Sequence, residues 1–140
     1  ERLAKTLGIA DSVMFRGALA AEGLWQEYVN ADLYIQHSLF EGWGRTLFEA
    51  ALAGLPIIST DVGLVGEVLL PGRDVFLCEW DNELDVTSAS MCLRELKADP
   101  EKRARLASGA RKAAEEYLVA HSYDASVEAI QAGLRRAAGV

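Results

Sequence analysis

The stretch SLFEGWGRTLFEAALAGLPIIST, residues 38–60, holds two carboxylates in unusual surroundings. Glu49 is the only charge between Thr46 and Thr60, with Leu47, Phe48, Ala50, Ala51 and Leu52 around it. A carboxylate is costly to remove from water unless it has a partner. Glu41 stands eight residues earlier, beside Gly42 and close to Gly44, glycines that permit close approach of a ligand to the backbone. Gly44, Arg45 and Thr46 then open a helical pattern, where free N–H groups and the helix dipole favour an anion. The dipole contributes about 0.3–1 kcal/mol, up to ~2 when partly buried. It assists phosphate binding, and a cationic side chain must supply the rest; Arg45 is the only local cation. Glu41 and Glu49 bracket this helix start. That suits a ligand with hydroxyls at both ends and phosphates in the middle, because a carboxylate accepts hydrogen bonds from two vicinal hydroxyls. The plainer alternative has Glu41 complementing the helix dipole and Glu49 facing solvent, and the spacing alone leaves both open.

The elements that position these residues follow from hydrophobic period. VMFRG (13–17) reads as a strand, and Leu24, Tyr28 and Ala31 then fall at helical spacing. LYIQ (33–36) predicts the next strand, which places the loop SLFEGWG at its carboxyl end. In open α/β sheets that edge is where ligands bind. A helix follows from about Arg45 to Ala53, with Gly54 as its C-terminal stop and Pro56 beyond. IIST (57–60) is apolar enough for a central strand of a parallel sheet. GEVLL (66–70) predicts a short helix, and VFLCEW (75–80) a fourth strand. After Trp80 only helical patterns remain. Val86, Ala89, Leu93 and Leu96 mark one helix. Pro100 suits a first turn, with Leu106, Ala110, Ala113 and Tyr117 on the next helix. Ser122 is placed to cap a last helix marked by Tyr123, Val127, Ile130 and Leu134. The alternation predicts an α/β fold, a doubly wound parallel sheet with right-handed crossovers. Residues 1–80 carry the strand-helix alternation and 81–140 are helical. The opening ERLAKTL reads as the end of a helix whose preceding strand is not here, so the chain is expected to be the later part of a larger domain.

Composition narrows the function. The chain has 140 residues, 51% of them hydrophobic, enough for a domain with a real core. Its apolar stretches are far short of a membrane span, and it opens on charges with no signal peptide. The net charge of −7 argues against nucleic acid as a partner. Cys78 and Cys92 sit in apolar surroundings and read as packing thiols in a reducing compartment. No His, Cys and Asp residues stand at metal-ligand spacing, and there is no nucleophile elbow. Trp25 and Trp80 fit apolar core patterns. Trp43, between two glycines, is the better candidate for a ligand or lid contact.

FEGWGRTLFEAALAGLPIISTDVG resembles the signature of the retaining glycosyltransferases of family 4, which have the GT-B fold. That signature runs Glu, seven residues, Glu, then a helix of small residues, Gly-x-Pro, an apolar strand and a T-D-x-G turn. Here it is Glu41, Glu49, Gly54-Leu55-Pro56 and Thr60-Asp61-Val62-Gly63. VMFRG is similar to the family's strand ending in F-x-G, YVNADLYIQHS to its Y-x-x-A-D segment, and ADPEKRARLASGARKAAEEY to its late helices. The resemblance covers about Ser12 to Tyr123. It implies a Rossmann-like carboxy-terminal, donor-binding domain, incomplete at its N-terminal side, of an enzyme that moves a sugar from a nucleoside diphosphate sugar to an acceptor with retention. It implies that Glu49 holds the ribose hydroxyls and that Glu41, in the catalytic position, contacts the donor sugar. Gly42 belongs to the same loop, and the backbone at Gly44, Arg45 and Thr46 would bind the diphosphate. Ala18 would lie where family members meet the nucleobase; Trp43, from its place between the glycines, and His37, at the end of its strand, are further candidates for the ligand edge, with a structural role the plainer reading of His37.

The chain departs from the pattern at His37-Ser38, where the family has Pro-Ser, and at Gly63-Leu64, where it has Gly-Gly. The second departure bears on any ligand role for Asp61 or Glu67. The Gly-Arg…Lys-Gly segment that clamps the diphosphate, and the N-terminal acceptor-binding domain, belong upstream of Glu1. The acceptor, a sugar, a lipid or another group, would be held by that missing domain. The fragment is therefore expected to be inactive in transfer by itself and, with an open sheet edge, to self-associate. No metal or cofactor is implied beyond the donor itself, and the enzyme is expected in the cytoplasm, with a peripheral place on the membrane open to the full-length protein. A non-catalytic nucleotide-sugar-binding or assembly module of the same fold is the alternative, and a sugar-nucleotide epimerase a third reading.

Overall fold

The computed structural model describes residues 1–80 and 86–122. Among the described residues three parallel strands form the sheet: β1 (Tyr34–Gln36), β2 (Ile57–Ser59) and β3 (Phe76–Leu77), in the order β1-β2-β3. Tyr34 pairs with Ile57, Ile35 with Ile58 and Gln36 with Ser59; Ile58 then pairs with Phe76. IIST is thus central, as its apolar run predicts. Five helices accompany the strands among the described residues: α1 (Arg2–Thr6), α2 (Ala21–Asn30), α3 (Arg45–Leu52), α4 (Thr87–Ala98) and α5 (Pro100–Ala120).

Successive strand residues point to opposite faces, so Ile57 and Ile58, both fully buried, serve two cores. On one face Ile57 joins Tyr28 of α2, Leu47, Phe48, Ala50 and Ala51 of α3, and Ala110 and Ala114 of α5. On the other face Ile58 joins Cys78, just after β3, with Ala89, Cys92 and Leu96 of α4 and Leu106 of α5. Helices on both faces of a parallel sheet are the doubly wound arrangement.

The helix ends follow their residues. Gly54, at φ +77°, closes α3. Its N–H donates to the Ala51 carbonyl at 2.9 Å, and the Leu55 N–H to the Ala50 carbonyl at 3.1 Å. This Schellman arrangement needs a left-handed residue, which glycine adopts without steric cost. Asp99 caps α5 by accepting from the Lys102 N–H at 2.8 Å, with Pro100 in the first turn.

Several expectations are corrected. VMFRG (13–17) is no strand. Val13 is extended, but no described strand pairs with the segment, and Val13, Met14 and Phe15 are exposed. Arg16 ties it instead to Glu27 of α2. GEVLL (66–70) is no helix. Gly66 sits at φ +85° and its N–H donates to the Leu69 carbonyl, making a turn where a helix would need right-handed backbone. The fourth predicted strand shortens to Phe76–Leu77. Trp25 is 43% exposed and not core, and Trp80 packs against His37 outside both clusters. On α4 the buried face is Ala89, Cys92 and Leu96; Leu93 and Val86 are exposed. The last predicted helix, from Tyr123, lies outside the described residues.

Candidate functional site

The loop after β1 and the start of α3 meet at the carboxyl end of the sheet. Gly44 takes φ +85° to turn the chain into α3. Gly63, at φ +59°, follows β2 and presses against the same loop: a Cβ there would lie 2.9 Å from the Trp43 carbonyl oxygen and 3.1 Å from Gly44 Cα. The glycine of the T-D-x-G turn is therefore required by contact between two loop backbones. Thr60 adds a second tie, its hydroxyl donating to the Ser38 carbonyl at 2.6 Å.

The two carboxylates are both held by protein donors. Both described donors to Glu41 fall on Oε1, Gln36 Nε2 at 2.7 Å and Ser38 Oγ at 3.1 Å. Gln36 also reaches Ser38 Oγ at 2.5 Å, and its own Oε1 accepts from Tyr34 Oη at 2.5 Å and Thr46 Oγ1 at 3.3 Å. Glu49 Oε2 accepts from Tyr28 Oη at 3.1 Å, while Oε1 faces Arg45 at 3.8 Å. The Glu49 side chain is 29% exposed, half-way between core and solvent. The puzzle of a carboxylate among apolar neighbours thus has an answer within the protein: Tyr28, twenty-one residues earlier on α2. The rings of Tyr28 and Tyr34, 6.0 Å apart, link the Glu49 and Glu41 halves.

Burial first, then the hydrogen bond and charge of Glu49, push the Tyr28 phenol well above its ordinary value of 10.0. Burial likewise raises Tyr34; a hydrogen bond with Thr46 opposes the shift, and the charges of Glu41 and Glu49 add to it. Both phenols stay neutral donors over the physiological range.

The remaining sequence candidates scatter. Arg45 is exposed at the first position of α3. The Trp43 ring packs on Phe48 at 5.0 Å and on Tyr117 of α5 at 5.6 Å, anchoring the glycine loop to the helical layer. The His37 ring packs against Trp80 at 4.6 Å, tilted by 33°, and its buried Nε2 has no hydrogen-bond partner among the described residues. Ala18 is exposed ahead of α2. A cavity of about 400 Å³ opens at the strand ends, lined by residues including Ser38, Thr60, Asp61, Glu79 and Trp80. Sequence reasoning missed Gln36, Ser38, Tyr28 and Tyr34 as site residues. Alternation along LYIQ could have flagged Tyr34 and Gln36 as sharing one face.

The arrangement offers two oriented carboxylates on either side of a helix N-terminus. The family described as glycosyl transferases group 1 matches residues 1–113. A D-inositol 3-phosphate glycosyltransferase of Streptomyces avermitilis is 31% identical over 140 residues, covering 97% of this chain and 30% of the relative. A lipopolysaccharide core biosynthesis mannosyltransferase of Rhizobium meliloti is 36% identical over 74 residues, 53% of this chain and 20% of the relative. Among solved structures, Anabaena HepE in complex with UDP and glucose superposes with a TM-score of 0.71 at 26% identity, over 82% of this chain and 30% of its own. Sucrose-phosphate synthase of Thermosynechococcus elongatus reaches a TM-score of 0.81 over 97% of this chain and 33% of its own; at 21% identity it speaks to the fold alone. The chain spans 30% of the length of the Streptomyces relative. With the Rossmann-like fold of the GT-B proteins and a family match over most of its length, the chain belongs to the glycosyl transferases group 1.

Proposed function

We propose that this chain is the donor-binding wall of a retaining glycosyltransferase of family 4, which transfers a sugar from a nucleoside diphosphate sugar to an acceptor. The observation that carries the reading is the pair of carboxylates flanking the N-terminus of α3, each oriented by a neutral donor: Gln36 and Ser38 on Glu41, Tyr28 on Glu49. In this reading Glu49 takes the ribose hydroxyls and Glu41 the hydroxyls of the donor sugar. Both described donors to Glu41 fall on Oε1, and in this reading Oε2 is the oxygen that takes the sugar hydroxyl.

The free N–H groups at the start of α3 receive the diphosphate. Charge develops there as the bond to the sugar breaks, so oriented N–H dipoles stabilise the leaving group more than the ground state. Two similar proteins support a sugar donor by their names, a glycosyltransferase and a mannosyltransferase, and HepE was solved with UDP and glucose. The acceptor wall and the cationic clamp would come from the rest of a polypeptide of the relatives' length.

The test is turnover of nucleotide sugars by the full-length protein, read as released nucleoside diphosphate and as the anomeric configuration of the product by proton NMR. Retention is expected, with Glu41→Gln losing most activity. An inverted product would overturn the family 4 assignment, and full activity in Glu41→Gln would overturn the role of Glu41.

A further inference from the structure

Gln36 ends β1, with its backbone carbonyl accepting from the Thr60 N–H at 3.1 Å. Its side chain makes four hydrogen bonds, two through each end of the carboxamide. Nε2 donates to Glu41 at 2.7 Å and to Ser38 at 2.5 Å. Oε1 accepts from Tyr34 at 2.5 Å and from Thr46 at 3.3 Å. A carboxamide is suited to this place because it has both a two-proton donor end and an acceptor end. Leucine or methionine offers neither. Glutamate would turn an acceptor and a negative charge toward Glu41. Lysine or arginine has no acceptor for the two hydroxyls.

We propose that Gln36 is a positioning residue for the donor sugar: it fixes the Glu41 carboxylate on the sheet edge and ties it to Thr46 at the start of α3, so that the sugar and the diphosphate are gripped by one rigid unit. This rests on the donor-site reading above. Gln36 itself touches no ligand. It acts by pointing Glu41, and its loss should be felt in the sugar half of the donor. The backbone N–H groups of α3 are held by the helix and by Gly44, so the diphosphate half should be spared.

The experiment compares a nucleoside diphosphate with its sugar conjugate in equilibrium titrations. The probes are UDP with UDP-glucose and UDP-N-acetylglucosamine, and GDP with GDP-mannose. The variants are Gln36→Leu, Gln36→Met and Gln36→Glu, with Glu41→Gln alone and combined with Gln36→Leu. For a conjugate that wild type binds, each Gln36 variant should weaken binding by roughly tenfold or more, the scale of a lost hydrogen bond to a charged group. The free diphosphate should change by about twofold at most. Gln36→Glu, nearly the same shape, should lose at least as much as Gln36→Leu, whereas a mere packing role predicts that it loses nothing. The double variant should bind no worse than Glu41→Gln alone, since residues acting through one another are not additive. Thermal melts identify any variant that fails to fold, and Gln36→Glu then carries the comparison. Unchanged conjugate binding in Gln36→Glu, or equal weakening of diphosphate and conjugate, overturns the role of Gln36 and leaves the donor site standing. Wild type that binds none of the probes overturns the donor-site reading, and the role of Gln36 with it.

Discussion

Glu49→Gln separates ligand binding from folding at the residue where the two meet. The substitution keeps shape and removes charge. If Glu49 accepts from a ribose hydroxyl, the charge-assisted bond lost is worth about 1.5–3 kcal/mol. Nucleoside diphosphate affinity should then fall roughly ten- to a hundredfold, at about 1.4 kcal/mol per decade. The cost to folding is smaller. The glutamine carbonyl oxygen can still accept from Tyr28 Oη, now 3.1 Å from Glu49 Oε2. The Arg45 contact, at 3.8 Å with an Arg45 side chain 86% exposed, is worth at most about 0.5 kcal/mol. A total near 1 kcal/mol lowers the melting temperature by roughly 3–6 °C. Glu49→Leu should behave differently. Among the described residues it leaves the hydroxyl of buried Tyr28 with only the long 3.5 Å contact to the Thr46 carbonyl, an orphaning that costs about 1–3 kcal/mol. Calorimetric titration with UDP or GDP beside a thermal melt reads both quantities. Unchanged affinity in Glu49→Gln together with a large fall in melting temperature would refute the argument and make Glu49 a structural partner of Tyr28.

Other expectations follow from the same contacts. The fold raises the Tyr28 pKa above 10.0, so it favours the protonated phenol. That stabilisation is present in full below pH 10 and is lost as pH rises through the native value; denaturant midpoints should fall above pH 10, and ultraviolet titration should show a phenol ionising only as the protein unfolds. Burial, the first cause in each case, raises the pKa of Cys78 and Cys92, both free. Both thiols are thus held in the protonated form, and Ellman's reagent should react slowly until denaturant is added; rapid native labelling would contradict their placement. Gly63→Ala adds a Cβ 2.9 Å from the Trp43 carbonyl oxygen in a left-handed backbone. It should destabilise by about 1–3 kcal/mol and loosen the α3 entrance; wild-type melting and affinity would show that the two loops are not in contact.

Much of the frame was legible from period and punctuation. The apolar run IIST predicts a central strand because a strand covered on both faces has no solvated side, and β2 is that strand. Gly54 and Pro56 mark the end of α3 because only certain residues fit the backbone there. What was not legible depends on distant parts of the chain. VMFRG has strand composition, yet composition supplies no pairing partner, and Arg16 binds Glu27 instead. GEVLL carries helical apolar spacing, but a left-handed glycine at its first residue decides the turn. At the site, the spacing of Glu41 and Glu49 was visible and their partners were not. Tyr28 and Gln36 reach them across twenty-one and five residues, by the packing of α2 on α3 and by the direction of β1.

The central claim is that a donor nucleotide binds where the glycine loop enters α3. Backbone amide chemical shifts, followed during titration with UDP and GDP, test it most directly. The largest changes should fall on Gly42 to Leu47, with Glu49 and the Tyr28 hydroxyl region following, and they should saturate at one equivalent. Changes centred elsewhere, for example at the small cavity lined by Asp74, Gly109 and Lys112, or no change with either nucleotide at millimolar concentration, would contradict the account.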